Sequence, residues 1–289
     1  MKSTKVILCV LALSLFACNS DDGNAPLENE AKLIIKLNFD ANQTRLNNLG
    51  QPATIPAGNA TQTPNIRQMS ANYIEFAPNA TSLLGQGEII YEGPETNAGG
   101  DLAIDFQQAI LAGQDDTFLE VPLSSVSAGN YDWVRVSLSY QEGDIMIRQS
   151  NTDITATLAS FLGYNNYITS FDLNGNTFNV NDDVLQGFWA VEAFGFTAQG
   201  QAPEGATTVP NPLFDTSPVP QGSCVVTGQF ENGLSISGDE TEDVVVTLSF
   251  SINNSFEWTE VNSDGKFEPS AGEQVVDMGL RGLIPLVGN

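Results

Sequence analysis

One segment near the end of the chain has the residue types and spacing of a cation-binding loop. Residues 260–273 place oxygen-bearing side chains at the first, third and fifth positions and a glycine at the sixth. Ca²⁺ prefers oxygen ligands, and a glycine at the sixth position permits the sharp turn that brings such ligands around one ion. We therefore predict a calcium site, and its expected ligands are Glu260, Asn262, Asp264, the carbonyl oxygen of Lys266, and Glu273.

This loop resembles the calcium loops of EF-hand proteins, with three departures. The twelfth position is Ala271, so the closing ligand would be Glu273, two residues later. The first position is Glu260 instead of aspartate, and the flanking segments 256–261 and 274–278 have the pattern of strands instead of helices. The alternative interpretation is a polar turn between two strands, and the sequence leaves both open.

The chain contains no histidine. This absence excludes Ser–His and Cys–His nucleophiles, histidine-ligated zinc and histidine-ligated copper. Carboxylate chemistry remains, either as ligands for a hard cation or as the acid and base of a glycosidase, which lie roughly 5 to 9.5 Å apart. No pair stands out among the 35 acidic residues. We predict a non-catalytic protein, with a polysaccharide hydrolase as the alternative.

A second candidate site lies on the predicted strand around residue 134. Trp133 and Arg135 fall on the face opposite the apolar residues of that strand. An outward tryptophan stacks on a sugar ring or anchors a protein partner. We predict Trp133 and Arg135 as ligand contacts, and the alternative is that a second packed sheet covers the tryptophan.

The first residues have the pattern of a secretory leader. Lys2 and Lys5 precede the apolar run 6–17, which is shorter than the roughly 20 apolar residues that span a membrane. We expect residues 1–17 to be a signal peptide that is removed. The run ends in the tetrad Leu15-Phe16-Ala17-Cys18.

This tetrad resembles the lipobox of bacterial lipoproteins, although Phe16 stands where a small or β-branched residue is usual. The resemblance implies cleavage before Cys18 and attachment of lipid, such as palmitate, to Cys18. The alternative is a plain secreted protein in which Cys18 is incidental. Residues 19–24 resemble the surface-export signal of Bacteroidota lipoproteins, which implies an outer-membrane protein displayed at the cell surface. Residues 18–30 are predicted to be a flexible tether.

The charge of the chain limits its partners. The net charge is −25, and removal of the leader leaves 8 of the 10 basic residues against 35 acidic ones, a net charge of −27. Such a surface repels nucleic acid and anionic headgroups and attracts divalent cations. The expected partners are the membrane, through the lipid, and a glycan or surface protein; nucleic acid is not expected.

Alternation with a period of two predicts half-buried antiparallel strands. It is clearest in residues 33–39, 134–140 and 244–252. The stretch 188–196 is apolar on both faces and predicts a central core strand. Residues 105–111 alone have a helical pattern. Hairpins are predicted at four turns: Glu142-Gly143, Asn174-Gly175, Asn232-Gly233 and Asn253-Asn254.

These elements predict an all-β protein, an antiparallel β-sandwich of immunoglobulin-like or jelly-roll-like type with one short helix. We expect one domain over residues 31–289, with a possible internal boundary in the proline-rich segment 201–221. Cys9 leaves with the leader and Cys18 carries lipid, so Cys224 has no disulfide partner and is expected in the core.

Three segments, 33–40, 72–76 and 128–136, resemble the MbnP-like family of periplasmic copper-binding β proteins. The resemblance covers about the first half of the chain and implies a β fold. Copper binding in that family relies on histidine, which this chain lacks. No copper ligand is therefore assigned.

Overall fold

The structure is a computed structural model that describes residues 30–202, 220, 222–278 and 280–288. Within the chain, Ala31–Asn289 forms one compact unit. The predicted leader, Cys18 and nearly all of the tether lie outside the described residues, as does most of the segment 201–221. No helix in the described ranges is long and apolar enough to cross a membrane.

The regular secondary structure of the described residues is almost entirely β-strand, which confirms the predicted all-β class. The strands are β1 (Lys32–Asp40), β2 (Asn59–Gln62), β3 (Asn65–Ala77), β4 (Glu88–Glu92), β5 (Glu95–Thr96), β6 (Ala103–Asp105), β7 (Thr117–Pro122), β8 (Gly129–Gln149), β9 (Thr152–Phe161), β10 (Asn165–Leu173), β11 (Asn176–Leu185), β12 (Phe188–Ala193), β13 (Phe196–Gln201), β14 (Cys224–Ile236), β15 (Val244–Ser251), β16 (Phe256–Thr259), β17 (Val275–Asp277) and β18 (Leu283–Gly288). Short 3-10 helices cover Phe106–Gln108, Leu123–Ser125 and Pro269–Ala271.

A seven-stranded central sheet organises the fold. Its order is β13-β12-β9-β8-β3-β4, and β14 also pairs with β8. β8 is 21 residues long. Along one edge it pairs with β3, and along the other with β14 over its first half and β9 over its second half. β8 therefore pairs directly with three strands of this sheet. The remaining strands extend from them, β4 beside β3, and β12 and β13 beyond β9.

The largest core lies between the first half of this sheet and the sheet β18-β15-β1-β7. Alternate residues of β1, such as Leu33, Ile35 and Leu37, are fully buried. They pack with the alternate apolar residues of β8 and β15 that the sequence pattern identifies. β1 pairs in parallel with β15 and antiparallel with β7, so the sheet is mixed instead of purely antiparallel.

Two further cores surround the second half of the central sheet. An aromatic cluster that includes Phe161, Phe171 and Phe188 lies against the sheet β11-β10-β6-β5. On the opposite face, Phe256 and Trp258 of β16 pack against the sheet together with residues of the loop that follows them. Other parts of the chain thus pack on both faces of the central sheet, and this packing of several sheets is consistent with the predicted sandwich.

Of the four predicted hairpins, the one at Asn174-Gly175 is confirmed. Asn174 and Gly175 have φ angles of 50° and 77°, and β10 and β11 pair antiparallel on either side of them. Such positive φ angles are those of a two-residue hairpin. The sequence signal and the local backbone conformation agree at this turn.

The hairpin predicted at Glu142-Gly143 is wrong, because both residues lie inside β8. A Cβ atom on Gly143 would lie 2.9 Å from the carbonyl oxygen of Asn65 and 3.0 Å from Cδ1 of Ile66. The glycine permits close contact with β3 instead of a turn.

The other two predicted hairpins are also wrong. Asn232-Gly233 lies within β14, both ends of which pair with β8, and the register shifts between Gln229 and Leu234. The extra residues form a bulge. Asn253-Asn254 does form a turn, with a φ angle of 51° at Asn254, but β15 and β16 belong to different sheets.

The helix predicted over residues 105–111 is reduced to the 3-10 turn Phe106–Gln108. Asp105 caps it by accepting a hydrogen bond from the amide of Gln107, and the backbone is extended at Ala109. Ala112 then exchanges backbone hydrogen bonds with Met69 of β3. Pairing with the sheet replaces the helix beyond its first turn.

We expect Gly143→Ala to destabilise the protein by about 1–3 kcal/mol, because the new methyl group overlaps β3. Urea unfolding measures the change. Gly129→Ala is the matched control, since its Cβ would meet the Tyr131 ring at an ordinary 3.4 Å. Equal losses in the two variants would contradict the proposed role of Gly143 in strand packing.

Candidate binding and cation sites

The predicted calcium loop, residues 260–273, is fixed to the core by an aromatic side chain. Phe267 is 7% exposed, and its ring centroid lies 5.2 Å from that of Phe256 and 5.5 Å from that of Trp258. The backbone carbonyl of Phe267 also accepts a 2.8 Å hydrogen bond from the amide of Arg148 in β8. The loop is therefore held against the central sheet.

Glu273 ties together distant parts of this loop. Its carboxylate is buried, with the residue 5% exposed. Oε1 accepts a 3.0 Å hydrogen bond from the amide of Val261, and Oε2 accepts a 2.6 Å bond from the amide of Glu268. A buried carboxylate that accepts backbone N–H groups stabilises the loop conformation.

Glu260 and Asp264 accept hydrogen bonds in the same way. Oε1 of Glu260 accepts bonds of 2.9 Å and 3.2 Å from the amides of Asp264 and Gly265, and its Oε2 accepts one from the Trp258 indole. Oδ1 of Asp264 accepts a 3.0 Å bond from the amide of Lys266. Acidic side chains commonly hold turns by such bonds. The side-chain Nδ2 of Asn262 donates to Oε2 of Glu268.

Ion pairs link the loop to the second half of β8 and to β9. Oδ2 of Asp264 lies 2.9 Å from Arg148, which also contacts Asp153 at 2.7 Å. Lys266 reaches the other oxygen of Asp153 at 3.0 Å. Hydrogen bonds from Arg148 and Lys266 lower the pKa of Asp153 below its usual range.

The loop has the hydrogen bonds that a polar turn makes, with acidic side chains accepting from backbone amides. In the described part of the chain, no group of three or more Cys, Asp or Glu side chains is placed to hold a metal ion. A carboxylate has about four acceptor sites, so the hydrogen bonds that Glu260, Asp264 and Glu273 accept leave sites that a cation could use. Calcium binding stays a prediction.

Arg135, the second predicted ligand contact, does not face solvent. It is 1% exposed, its Nη1 lies 3.7 Å from Oε1 of Glu75, and its Nη2 donates a 2.6 Å hydrogen bond to the carbonyl of Ser82. The loop 78–87 covers this face of the sheet, which is why the prediction of an outward Arg135 is wrong. Trp133, also on β8, is partly exposed.

The buried carboxylate of Glu75 explains why Arg135 is buried. Glu75 is fully buried and accepts hydrogen bonds from the Tyr73 hydroxyl at 3.0 Å and from the amides of Gly85 and Gly87 at 2.9 Å and 2.6 Å. Burial, and then the charge of Glu75, raise the pKa of Tyr73. Burial lowers the pKa of Arg135, and the attraction of Glu75 opposes this shift. The pair holds the loop 78–87 against the sheet.

All five arginines in the sequence form ion pairs with acidic residues. The pairs are Arg45–Glu257, Arg67–Glu142, Arg67–Asp144, Arg135–Glu75, Arg148–Asp153, Arg148–Asp264, Arg281–Glu257 and Arg281–Asp277. The arginine side chains, which could otherwise attract an anionic ligand, are therefore held by acidic partners. The remaining surface is strongly acidic.

Cys224 lies in β14 and packs against the largest core, where the sequence analysis expects it. Burial, reinforced by the charge of Asp277, raises the pKa of its thiol to about 12. The thiol is protonated at neutral pH, and protonated thiols are poor nucleophiles.

The most exposed large apolar side chains in the described residues lie at the tip of the β12–β13 hairpin. Phe194 is 76% exposed and Phe196 is 81% exposed. β12 ends at Ala193, so the predicted core strand 188–196 is correct for its first part and wrong for its last residues. We call residues 194–196 the aromatic tip.

The backbone of the aromatic tip is strained. Phe194 and Gly195 have φ angles of 51° and 83°. A left-handed conformation suits glycine, but at a bulky residue it costs on the order of 1 kcal/mol. Strain at a residue that gains no burial is a recurring feature of functional sites. The sequence feature that could have predicted this exposed turn is the Phe194-Gly195 pair, which the polar residues of β13 follow.

Comparison of the chain with models of protein families, with curated proteins and with solved structures found no match. The resemblances given in the sequence analysis therefore remain predictions.

We expect Arg135→Met to destabilise the protein by about 3–5 kcal/mol, because it leaves the buried Glu75 carboxylate without a counter-charge. Urea unfolding measures the loss. The matched control, Arg148→Met, removes pairs at the surface and should cost far less. Unchanged stability in Arg135→Met would contradict this structural role.

We expect Glu273→Gln to destabilise the protein by about 1–3 kcal/mol in metal-free buffer, since an amide cannot accept all the backbone bonds of the carboxylate. Glu242→Gln, at an exposed glutamate, is the matched control. Thermal unfolding in chelator measures both.

The same proteins test calcium binding. The calcium prediction requires that added Ca²⁺ raise the unfolding midpoint of the unsubstituted protein and raise that of Glu273→Gln much less. A midpoint that does not respond to Ca²⁺ would overturn the calcium site and leave the polar turn.

Proposed function

We propose that this chain is a lipid-anchored lipoprotein of the bacterial outer membrane, displayed at the cell surface, whose β-sandwich has a non-catalytic binding role. The aromatic tip is the part of the domain that contacts the ligand, a glycan or a surface protein. Lipid on Cys18 holds the domain at the membrane, and residues 18–30 act as a flexible linker between the lipid and the domain. Ca²⁺ bound in the loop 260–273 stabilises the last strands.

The observation that carries the binding role is the exposure of Phe194 and Phe196. Both phenylalanine rings are exposed to water in the free protein. A ligand that covers one of these side chains fully would gain about 1.5–3 kcal/mol from the hydrophobic effect. The ring face also stacks on the apolar face of a sugar. A strained turn that presents these rings is well suited to contact a ligand.

The charge distribution supports an uncharged ligand surface. The chain has a net charge of −25, and its arginines are all engaged by acidic partners. Phosphate groups and nucleic acid are repelled by this net negative charge. The aromatic tip itself carries no charge, so it favours a neutral sugar or an apolar protein surface.

We expect the soluble domain to retain intact glycans on an array, and Phe194→Ala/Phe196→Ala to weaken that binding at least tenfold, because both stacking rings are removed. Leu185→Ala is the matched control, since Leu185 is also an exposed apolar residue, 67% exposed, on another strand. Equal loss in the control would show a nonspecific effect.

The other outcomes of the array separate the alternative functions. Shortened glycan chains would contradict the non-catalytic role and support a hydrolase with paired carboxylates. No binding to any glycan, with no loss of cell-surface protein contacts in the double variant, would favour a purely structural envelope or adhesin component.

Lipid anchoring is tested separately. We expect radiolabelled palmitate to enter the protein in growing cells and Cys18→Ser to abolish both labelling and membrane association, because the sulfur is the site of attachment. Cys224→Ser is the matched control and should label normally. Equal membrane association of Cys18→Ser and the unsubstituted protein would overturn the anchor.

A further inference from the structure

The outer edge of the central sheet is β13, and in the described part of the chain it pairs only with β12. The register places Ala193 opposite Phe196, Val191 opposite Ala198, and Trp189 opposite Gly200. The amide of Ala202 donates to Gly187, which continues this series. In an antiparallel ladder, alternate residues point their backbone groups away from the partner strand. Among the described residues, the backbone groups that point away from β12 without a partner are therefore those of Thr197, Gln199 and Gln201.

This edge lacks the features that prevent strand pairing. Exposed edges are usually protected by charged residues, proline or a bulge. Other edge strands have them: β4 contains Glu88 and Glu92, β7 contains Glu120 and Pro122, and β18 contains Pro285. β13, with the sequence FTAQGQ, contains neither charge nor proline, in a chain with 35 acidic residues.

One face of β13 also extends an apolar surface to this edge. Trp189, Val191 and Ala193 of β12 pack against the core that contains Trp258. Their cross-strand partners are Phe196, Ala198 and Gly200. A Cβ atom on Gly200 would lie 2.7 Å from the Trp189 ring, so the indole lies directly over this glycine. The apolar face continues past the core and ends, exposed, at Phe196.

We propose that β13 is a homotypic interaction surface, which pairs antiparallel with β13 of a second copy about a two-fold axis at Gln199. Thr197 then faces Gln201 of the second copy, and Gln199 faces its own equivalent. The free donors and acceptors of all three residues are satisfied, and the two central sheets become continuous.

A second copy fits this edge because two identical β13 strands can pair antiparallel with each other without bringing charged side chains together. A two-fold interface brings the same patch together twice, so each residue must tolerate its symmetry mate. Neutral β13 opposes neutral β13 without a like-charge contact, although each chain carries a net charge of −25. The two aromatic tips lie at opposite ends of the pair, about 20 Å apart at 3.3 Å per residue, and remain free for ligand.

This interface predicts an unusual salt dependence. Two strongly acidic chains repel each other at long range, and salt screens that repulsion, since the Debye length falls from about 10 Å at 0.1 M to about 3 Å at 1 M. The pairing itself uses neutral groups that salt does not weaken. Association should therefore strengthen as the salt concentration rises.

Sedimentation equilibrium of residues 30–289, which contain the whole compact unit, tests the proposal. The expected result is a monomer–dimer equilibrium with a dissociation constant that falls from 0.1 M to 1 M NaCl. Gln199→Pro removes an outward N–H without breaking a bond to β12 and should raise the dissociation constant at least tenfold, whereas Gln199→Ala should change it less than threefold.

A second variant guards against a folding defect in Gln199→Pro. Gln199→Glu puts two like charges on the two-fold axis and should also give at least a tenfold increase, while Gln51→Glu, the same change at an exposed site on another segment, should not. A monomer at all concentrations up to 300 μM in 1 M NaCl would overturn the proposal. A dimer that neither Gln199→Pro nor Gln199→Glu weakens would overturn it as well.

Discussion

Continuous pairing along β8 is the constraint on which the rest of the fold depends. β3 follows one edge of this strand, and β14 and β9 divide the other edge between them. The first half of β8 faces the largest core and the second half contributes Tyr140 and Ile145 to the two others. A break in the middle of β8 would separate these cores. The close approach of β3 at Gly143 keeps the strand continuous at that point.

Buried charge fixes the loops on this framework. Glu75 and Arg135 are cross-strand neighbours in β3 and β8, and their contacts hold the loop 78–87. Glu257 of β16 binds Arg45 and Arg281, which belong to distant segments of the chain. Such pairs are costly to bury, and removal of one partner is more costly still. They therefore specify how these segments pack more than they add to stability.

The strands were predictable from the sequence because a half-buried strand needs strict alternation, as in β1 and β15. The turns were less predictable, since glycine serves several purposes. Gly175 provides a positive φ angle, Gly143 provides space for a neighbouring strand, and Gly233 lies in a bulge. The length of β8 was also hidden, because a polar Glu142 lies inside it and is paired with Tyr140 and Gln68.

The candidate sites illustrate the same limit. The oxygen spacing in residues 260–273 fits both calcium ligands and the capping of backbone amides, so the spacing alone does not choose between them. Arg135 lies at a position that the alternating pattern of β8 predicts to face outward. The pattern along one strand contains no information about the loop that covers this side chain. The aromatic tip was assigned to the core because apolar residues normally belong there.

Native-state hydrogen exchange of the β8 amides tests the central role of this strand most directly. If β8 joins the three cores into one cooperative unit, the hydrogen-bonded amides around Val136 and those around Ile145 will exchange with the same free energy, equal to that of global unfolding. A separate, lower free energy for either half would contradict the account, because it would show that the two halves of the central sheet unfold independently.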